Sequence, residues 1–214
     1  MVNTAEKDGP TRSQRKRQAI LGAATDLFLQ HGYLGTQMDE VAARAAVSKQ
    51  TVYKQFVGKE ALFVEIVSSM TRVAGDKVQR EISELGERDD PGKELLAYAE
   101  RQLTVVLTPR LMQLRRLVIG EASRFPALGK ALHEGGPARA IAGLASAFAR
   151  WSARGLLRVD DAPRAAAQFN WLVMGEPVNR AMLLGDAAIP GPAALRRQAA
   201  DGVRVFLAAY GTRP

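Results

Sequence analysis

TQMDEVAARAAVSKQTVYKQFVGKEALF, residues 36–63, decides how this chain is read. It reads as a short helix, a tight turn, a second short helix and the start of a long third one. Val41 and Ala45 stand four apart and share one face of the first helix, and Val52 and Phe56 do the same on the second. Ala42 is small enough for two helices to cross closely. Ala46-Val47-Ser48 forms the turn, with Ser48 as N-cap of the second helix. The other face of that helix carries Lys49, Gln50, Thr51, Tyr53, Lys54 and Gln55, nearly all hydrogen-bond donors. From Ala42 to Lys59 there are four bases (Arg44, Lys49, Lys54 and Lys59) and no acid. An apolar inner face with an acid-free, donor-rich outer face suits a polyanion. The major groove of DNA admits one helix, and Lys, Gln and Thr read its edges. The arrangement is a helix-turn-helix, with residues 49–55 as the recognition helix.

These residues resemble the tetracycline-repressor-like (TetR/AcrR) family of transcription regulators. The resemblance rests on Thr36, Val41-Ala42, Ala45-Ala46-Val47-Ser48, Thr51-Val52-Tyr53, Phe56 and Lys59-Glu60-Ala61-Leu62-Phe63, and is strong over residues 15–63. It implies that Lys49, Gln50, Thr51 and Lys54, with Ser48 beside them, face the major groove. It also implies that Thr36, the Tyr53 hydroxyl and Lys59 hold phosphates. The family usually has Gly where Ala46 stands, and often Gly where Gln50 stands. Alanine takes a left-handed turn only at a cost of ~1–2 kcal/mol, so a local departure at the turn is expected. Gln50 adds a side chain that changes the bases read.

Composition bounds the rest. The chain has 214 residues, 47% of them hydrophobic, enough for a sizeable core in one or two domains. A formal net charge of +8 favours nucleic acid or an anionic surface. With no cysteine there is neither a disulfide framework nor thiolate chemistry. The polar start MVNTAEKDGP lacks the apolar core of a secretory signal. The longest uncharged apolar run, Ala140 to Ala149, is too short to span a bilayer. A soluble cytoplasmic protein is expected.

Residues 1–11 read as disordered. Arg12-Ser13-Gln14-Arg15-Lys16-Arg17 holds four bases and no acid; it is either a solvated helix start or an arm that touches DNA. The first helix is expected from Ser13 to His31, with Gly32 as its stop, His31 near its last carbonyls and Ile20, Leu21, Ala24, Leu27 and Phe28 as its stripe. Thr36 is expected to cap the second helix, with Asp39 and Glu40 in its first turn.

A long fourth helix runs from Lys59 to about Leu85. Further helices are expected at 92–107, 110–123, 138–154, 165–184 and 193–210, with Gly135-Gly136-Pro137 as a break. The expectation is an all-α chain of about nine helices. Residues 1–57 form the helix-turn-helix domain and 58–214 a helical regulatory and dimerisation domain.

Residues 109–184 resemble a C-terminal domain of one branch of the same family. The matching residues are Arg115-Arg116-Leu117-Val118-Ile119-Gly120-Glu121-Ala122, Phe125-Pro126, Gly136-Pro137-Ala138-Arg139 and Arg154 to Asp161. They imply dimerisation and ligand sensing without naming a ligand.

An enzyme needs a constellation that is missing here. His31 and His133 are about a hundred residues apart, there is no G-x-S-x-G elbow, and no phosphate-binding G-x-x-x-x-G-K-[ST] loop occurs. Asp89-Asp90 and Asp160-Asp161 fall at helix starts, where capping explains them. No cofactor and no metal is implied. A basic amphipathic membrane-surface module is disfavoured, because membrane binding does not require the helix-turn-helix register. The sequence-level reading is a homodimeric regulator of double-stranded operator DNA, paired through its last two helices. It acts as a repressor released by a small apolar or amphipathic effector, or as a DNA-binding regulator with none. Tyr98, Gln102, Phe148 and Trp151 are the candidate ligand residues, since they combine large apolar faces with a few polar handles.

Overall fold

The computed structural model describes residues 11–212, apart from the side chains of residues 81, 83 and 84. The expected disorder of residues 1–10 lies outside the described residues. The helices are α1 (Arg12–Gly35), α2 (Met38–Arg44), α3 (Lys49–Gln55), α4 (Lys59–Glu84), α5 (Pro91–Val106) and α6 (Pro109–Glu121), then α7 (Pro126–His133), α8 (Arg139–Ala153), α9 (Ala162–Leu184) and α10 (Pro192–Tyr210). A π turn, Glu134–Ala138, joins α7 to α8 without interruption. Counted as one run, that stretch brings the described residues to nine helices. Among the described residues no helix is long and apolar enough to cross a membrane.

The chain divides into two compact units, one ending at Ile66 and the other beginning at Val67. The first therefore extends into α4, past the expected break at residue 57. Aromatic packing is the reason. Phe63 lies 5.0 Å from Phe28 and 5.1 Å from Tyr33, and Leu62, Phe63 and Ile66 are buried with Ile20, Ala24, Leu27 and Phe28 of α1. Gly32 leaves the helical region at φ 71, as a stop glycine does, but the chain resumes for one more turn to Gly35.

In the second unit α5, α8, α9 and α10 surround the core. Phe148, Phe169 and Phe206 meet edge-on or tilted, with centroids 4.9–5.9 Å apart, the geometry aromatic quadrupoles prefer. Gln198 on α10 donates to the Leu172 and Val173 carbonyls of α9.

The expected break at Gly135-Gly136-Pro137 is not there. A π turn accommodates Pro137, whose ring and missing N–H would disrupt a regular α-turn. The glycine serves close approach instead: a Cβ on Gly135 would sit 2.9 Å from Thr71 Cγ2, and one on Gly75 would sit 2.5 Å from the Gly135 carbonyl oxygen. Aspartate capping follows the expectation, since Asp90 and Asp161 accept from the backbone N–H of Lys93 and Arg164.

Candidate nucleic-acid interface and interior cavity

Local chemistry places α3. Ser48 accepts from the Thr51 N–H and so starts the helix. Val52 is fully buried and Phe56 nearly so, which anchors the inner face. Ser48, Lys49, Gln50, Tyr53 and Lys54 are consequently exposed and Thr51 half-buried. The turn before α3 is a Schellman motif: the Val47 N–H donates to Ala42 O and the Ala46 N–H to Ala43 O. Ala46 adopts φ 52, and among the described residues it is the one non-glycine with positive φ. The expected local departure does not occur. The chain keeps the left-handed turn and bears the strain on an alanine.

The contacts of three cations around this face were not legible in the sequence. Lys49 Nζ lies 2.8 Å from Asp39 Oδ1 of α2, and this hydrogen-bonded carboxylate raises the lysine above its ordinary range. The acid-free run thus acquires an acid from the neighbouring helix. Lys59 Nζ donates to the Leu34 carbonyl at 3.2 Å and lies 4.7 Å from the centre of the Tyr33 ring. Arg17 stacks over Phe56 at 4.4 Å, donates to the Gln55 carbonyl and faces Glu65 at 3.4 Å. The basic run at 12–17 forms the first turns of α1, capped by Thr11 and Gln14, and Arg17 in it staples the helices together.

Thr36 is corrected on both counts. It is fully buried, and its hydroxyl donates to the Gly32 carbonyl at 2.8 Å. Gln37, not Thr36, is the N-cap of α2. The Thr36 side chain therefore cannot reach a phosphate in this conformation. His31 stands directly before the Gly32 kink, and its Nε2 lies 4.0 Å from Glu40 Oε1 of α2.

The second unit holds a partly open cavity of about 100 Å³. Thr71, Gly75 and Val78 of α4 wall one side and Leu111, Met112 and Arg115 of α6 another, with Gln102, Pro137, Asn170 and Trp171 completing it. Of the four residues expected to hold a ligand, Gln102 lines this space; the other three do not. Phe148 and Trp151 are fully buried in the aromatic core. The Trp151 indole N–H donates to the Arg88 carbonyl at 2.9 Å, tying down the connection between α4 and α5. Tyr98 packs toward Phe169 and borders a separate hollow beside residues 85–94. Its hydroxyl has no partner among the described residues, and burial pushes it far above the ordinary phenol range. Spacing alone could not separate α5 residues that face the core from those that face the cavity.

Comparison with known proteins agrees with this geometry. Residues 20–66 match the family model for bacterial regulatory proteins of the tetR family. Residues 93–212 match that for the C-terminal domain of AefR-like transcriptional repressors. A TetR-family regulator from Mesorhizobium loti MAFF303099 is 40% identical, with a TM-score of 0.87 over 94% of this chain and all of that one. The flavonoid-responsive regulator FrrA is 30% identical, with a TM-score of 0.74 over 94% of this chain and 99% of that one. The HTH-type regulator YhgD of Bacillus subtilis is 35% identical over 99 residues, 46% of this chain and 52% of that one. This chain thus matches about half of that curated relative's length, and less of others such as the E. coli regulator RutR, at 24%. The two family models together cover most of the chain and the solved structures align over nearly all of it. The chain belongs to the TetR family of non-enzymatic, DNA-binding transcriptional regulators, with a C-terminal domain of the AefR-like type.

Proposed function

We propose that this protein is a homodimeric repressor whose grip on operator DNA is released by a small apolar or amphipathic ligand. The observation that carries the DNA half is α3: Val52 is buried while Lys49, Gln50, Tyr53 and Lys54 project to solvent. Lys49, Gln50, Thr51 and Lys54, flanked by Ser48, read base edges. The Tyr53 hydroxyl and Lys59 hold phosphates, Lys59 from the first turn of α4, itself an anion site. One such helix contacts only a few bases, so specificity requires a two-fold pair on half-sites ~34–36 Å apart.

The pair forms through α9 and α10. Trp171, Leu172, Leu183 and Leu184 of α9 and Val205 of α10 are exposed, and pairing of these helices with their copies would take such apolar side chains out of water. Sedimentation of a monomer at micromolar concentration, with specific DNA binding intact, would refute this pairing.

The sensing half rests on the cavity, which is mostly apolar with a few polar groups, as ligand sites are. FrrA, 30% identical, is itself described as flavonoid-responsive. The ligand must prefer one of two conformations, because equal affinity for both shifts nothing. α4 supplies Lys59 at one end and the cavity residues Thr71, Gly75 and Val78 further along. The second reading, a regulator with no effector, is favoured by the cavity's modest size. The test is selection of genomic fragments by the purified protein, footprinting of the bound site, and titration of that complex with a panel of apolar and amphipathic compounds. Retention unaffected by the whole panel would leave the effector-free reading standing.

A further inference from the structure

The cavity has a charge and hydrogen-bond pattern that its apolar walls do not explain. Its lining includes Arg115 and Arg139 and no aspartate or glutamate. Arg139 is satisfied, with Nη1 2.6 Å from Asp76 Oδ1. Arg116, next along α6, is satisfied too, donating to Asp186 and to the Ala181 carbonyl. Arg115 makes no hydrogen bond or ion pair among the described residues, and it is half-buried beside Met112 and Leu114. Burial alone acts on it, lowering it from the ordinary guanidinium range with no carboxylate to offset the cost. A charge held this way is costly unless something pairs with it.

Two further atoms on the same walls lack partners among the described residues. Gln102, 4% exposed, donates through Nε2 to Asn170 Oδ1 at 2.9 Å, and its Oε1 is unpaired. Thr71, 5% exposed, has an unpaired Oγ1. Amide oxygen and nitrogen are interchangeable in such assignments. If both amides are turned over, the orphan on Gln102 becomes a donor. A hydroxyl satisfies either arrangement, since it both donates and accepts.

We infer that this cavity takes a small amphipathic organic anion, its charged group paired with the Arg115 guanidinium and a hydroxyl or similar polar group at Gln102 or Thr71. The inference rests on the proposal that the cavity is the sensing site, and it adds the ligand's charge and size. At about 100 Å³ the space is smaller than the ~150 Å³ void that admits benzene. A single ring with one carboxylate is therefore the upper limit of size, and it enters only as the flexible side chains of Met112 and Met174 give way.

The test uses the full chain and three compounds of one shape: 4-hydroxybenzoate, its neutral methyl ester, and cationic 4-hydroxybenzylamine. Binding is followed by calorimetry and by fluorescence, since Trp171 lines the cavity whereas the other tryptophan, Trp151, is buried in the core. The benzoate is expected to bind about 10- to 100-fold more tightly than the ester, the range of one charge-assisted contact, and the amine not measurably. Arg115→Gln should abolish that preference, and Arg115→Lys should retain part of it. If Arg115→Gln fails to fold, the three compounds on the unaltered chain still decide the matter.

Ester or amine binding as tight as the benzoate, no binding by any of the three, or a preference that survives Arg115→Gln would overturn the inference. The sensor proposal fails separately. An ester that binds and releases DNA while the benzoate does neither keeps the sensor and removes the anion. A benzoate that binds with the expected preference but never releases DNA keeps the anion and removes the sensor.

Discussion

Replacing Ala46 by glycine should make this protein more stable, against the usual direction for a helix-turn-helix substitution. Ala46 sits at φ 52, directly after the C-cap of α2. A left-handed conformation costs an L-residue with a Cβ ~1–2 kcal/mol. Glycine removes that cost, but its freer unfolded chain takes back ~0.4–1 kcal/mol. The alanine methyl is exposed, so its removal forfeits almost no burial. The net expectation for Ala46→Gly is a gain of ~0.5–1 kcal/mol, or ~1–4 °C in Tm if the chain melts as one body. Urea and thermal unfolding of the purified variants measure it. Ala46→Val provides the opposing arm: a β-branched side chain is a genuine outlier at positive φ, and the loss should exceed ~1 kcal/mol. The reasoning fails if glycine destabilises while valine is tolerated, because the residue would then not be left-handed in solution.

On the DNA side, Gln50→Ala should change which operator bases matter. Lys59→Ala should weaken all sequences alike and lower the salt slope by about one, and a change of base preference in Lys59→Ala would contradict its assignment to a phosphate. Asp39→Asn removes the carboxylate that holds Lys49 and should tighten binding to any duplex by about 2- to 10-fold at low salt; weaker binding would mean that the ion pair orients α3. Asp186 is held below its ordinary range of 3.8, chiefly by the Arg116 guanidinium and then by Gln113. Because its folded-state value is depressed, its contribution is full above 3.8 and is lost as pH falls through the lowered value. Asp186→Asn should therefore cost about 1 kcal/mol at neutral pH, with the two proteins converging in acid-titrated melts; a gap that persists at the lowest pH would point to packing instead.

The local grammar of this chain is short-range, and it was legible. Ser48 caps α3 and Asp90 and Asp161 cap α5 and α9 because a side chain meets a backbone N–H three residues on. Val41 and Ala45, and likewise Val52 and Phe56, are buried because a spacing of four puts each pair on one face of its helix. Those two rules were enough to establish an all-α fold and to identify which face of α3 is left to solvent. Where the sequence misled, a partner distant in the chain or a competing local acceptor was the cause. Thr36 turned inward to the Gly32 carbonyl, Gly135 was required for contact with Thr71 rather than for a break, and Trp151 went to the Arg88 carbonyl 63 residues away. Asp39 on Lys49 and the unpaired Arg115 in its cavity belong to the same class. Composition and spacing say which groups a chain carries. Which donor meets which acceptor across helices, and which is left without one, depends on distances that only the packed structure sets.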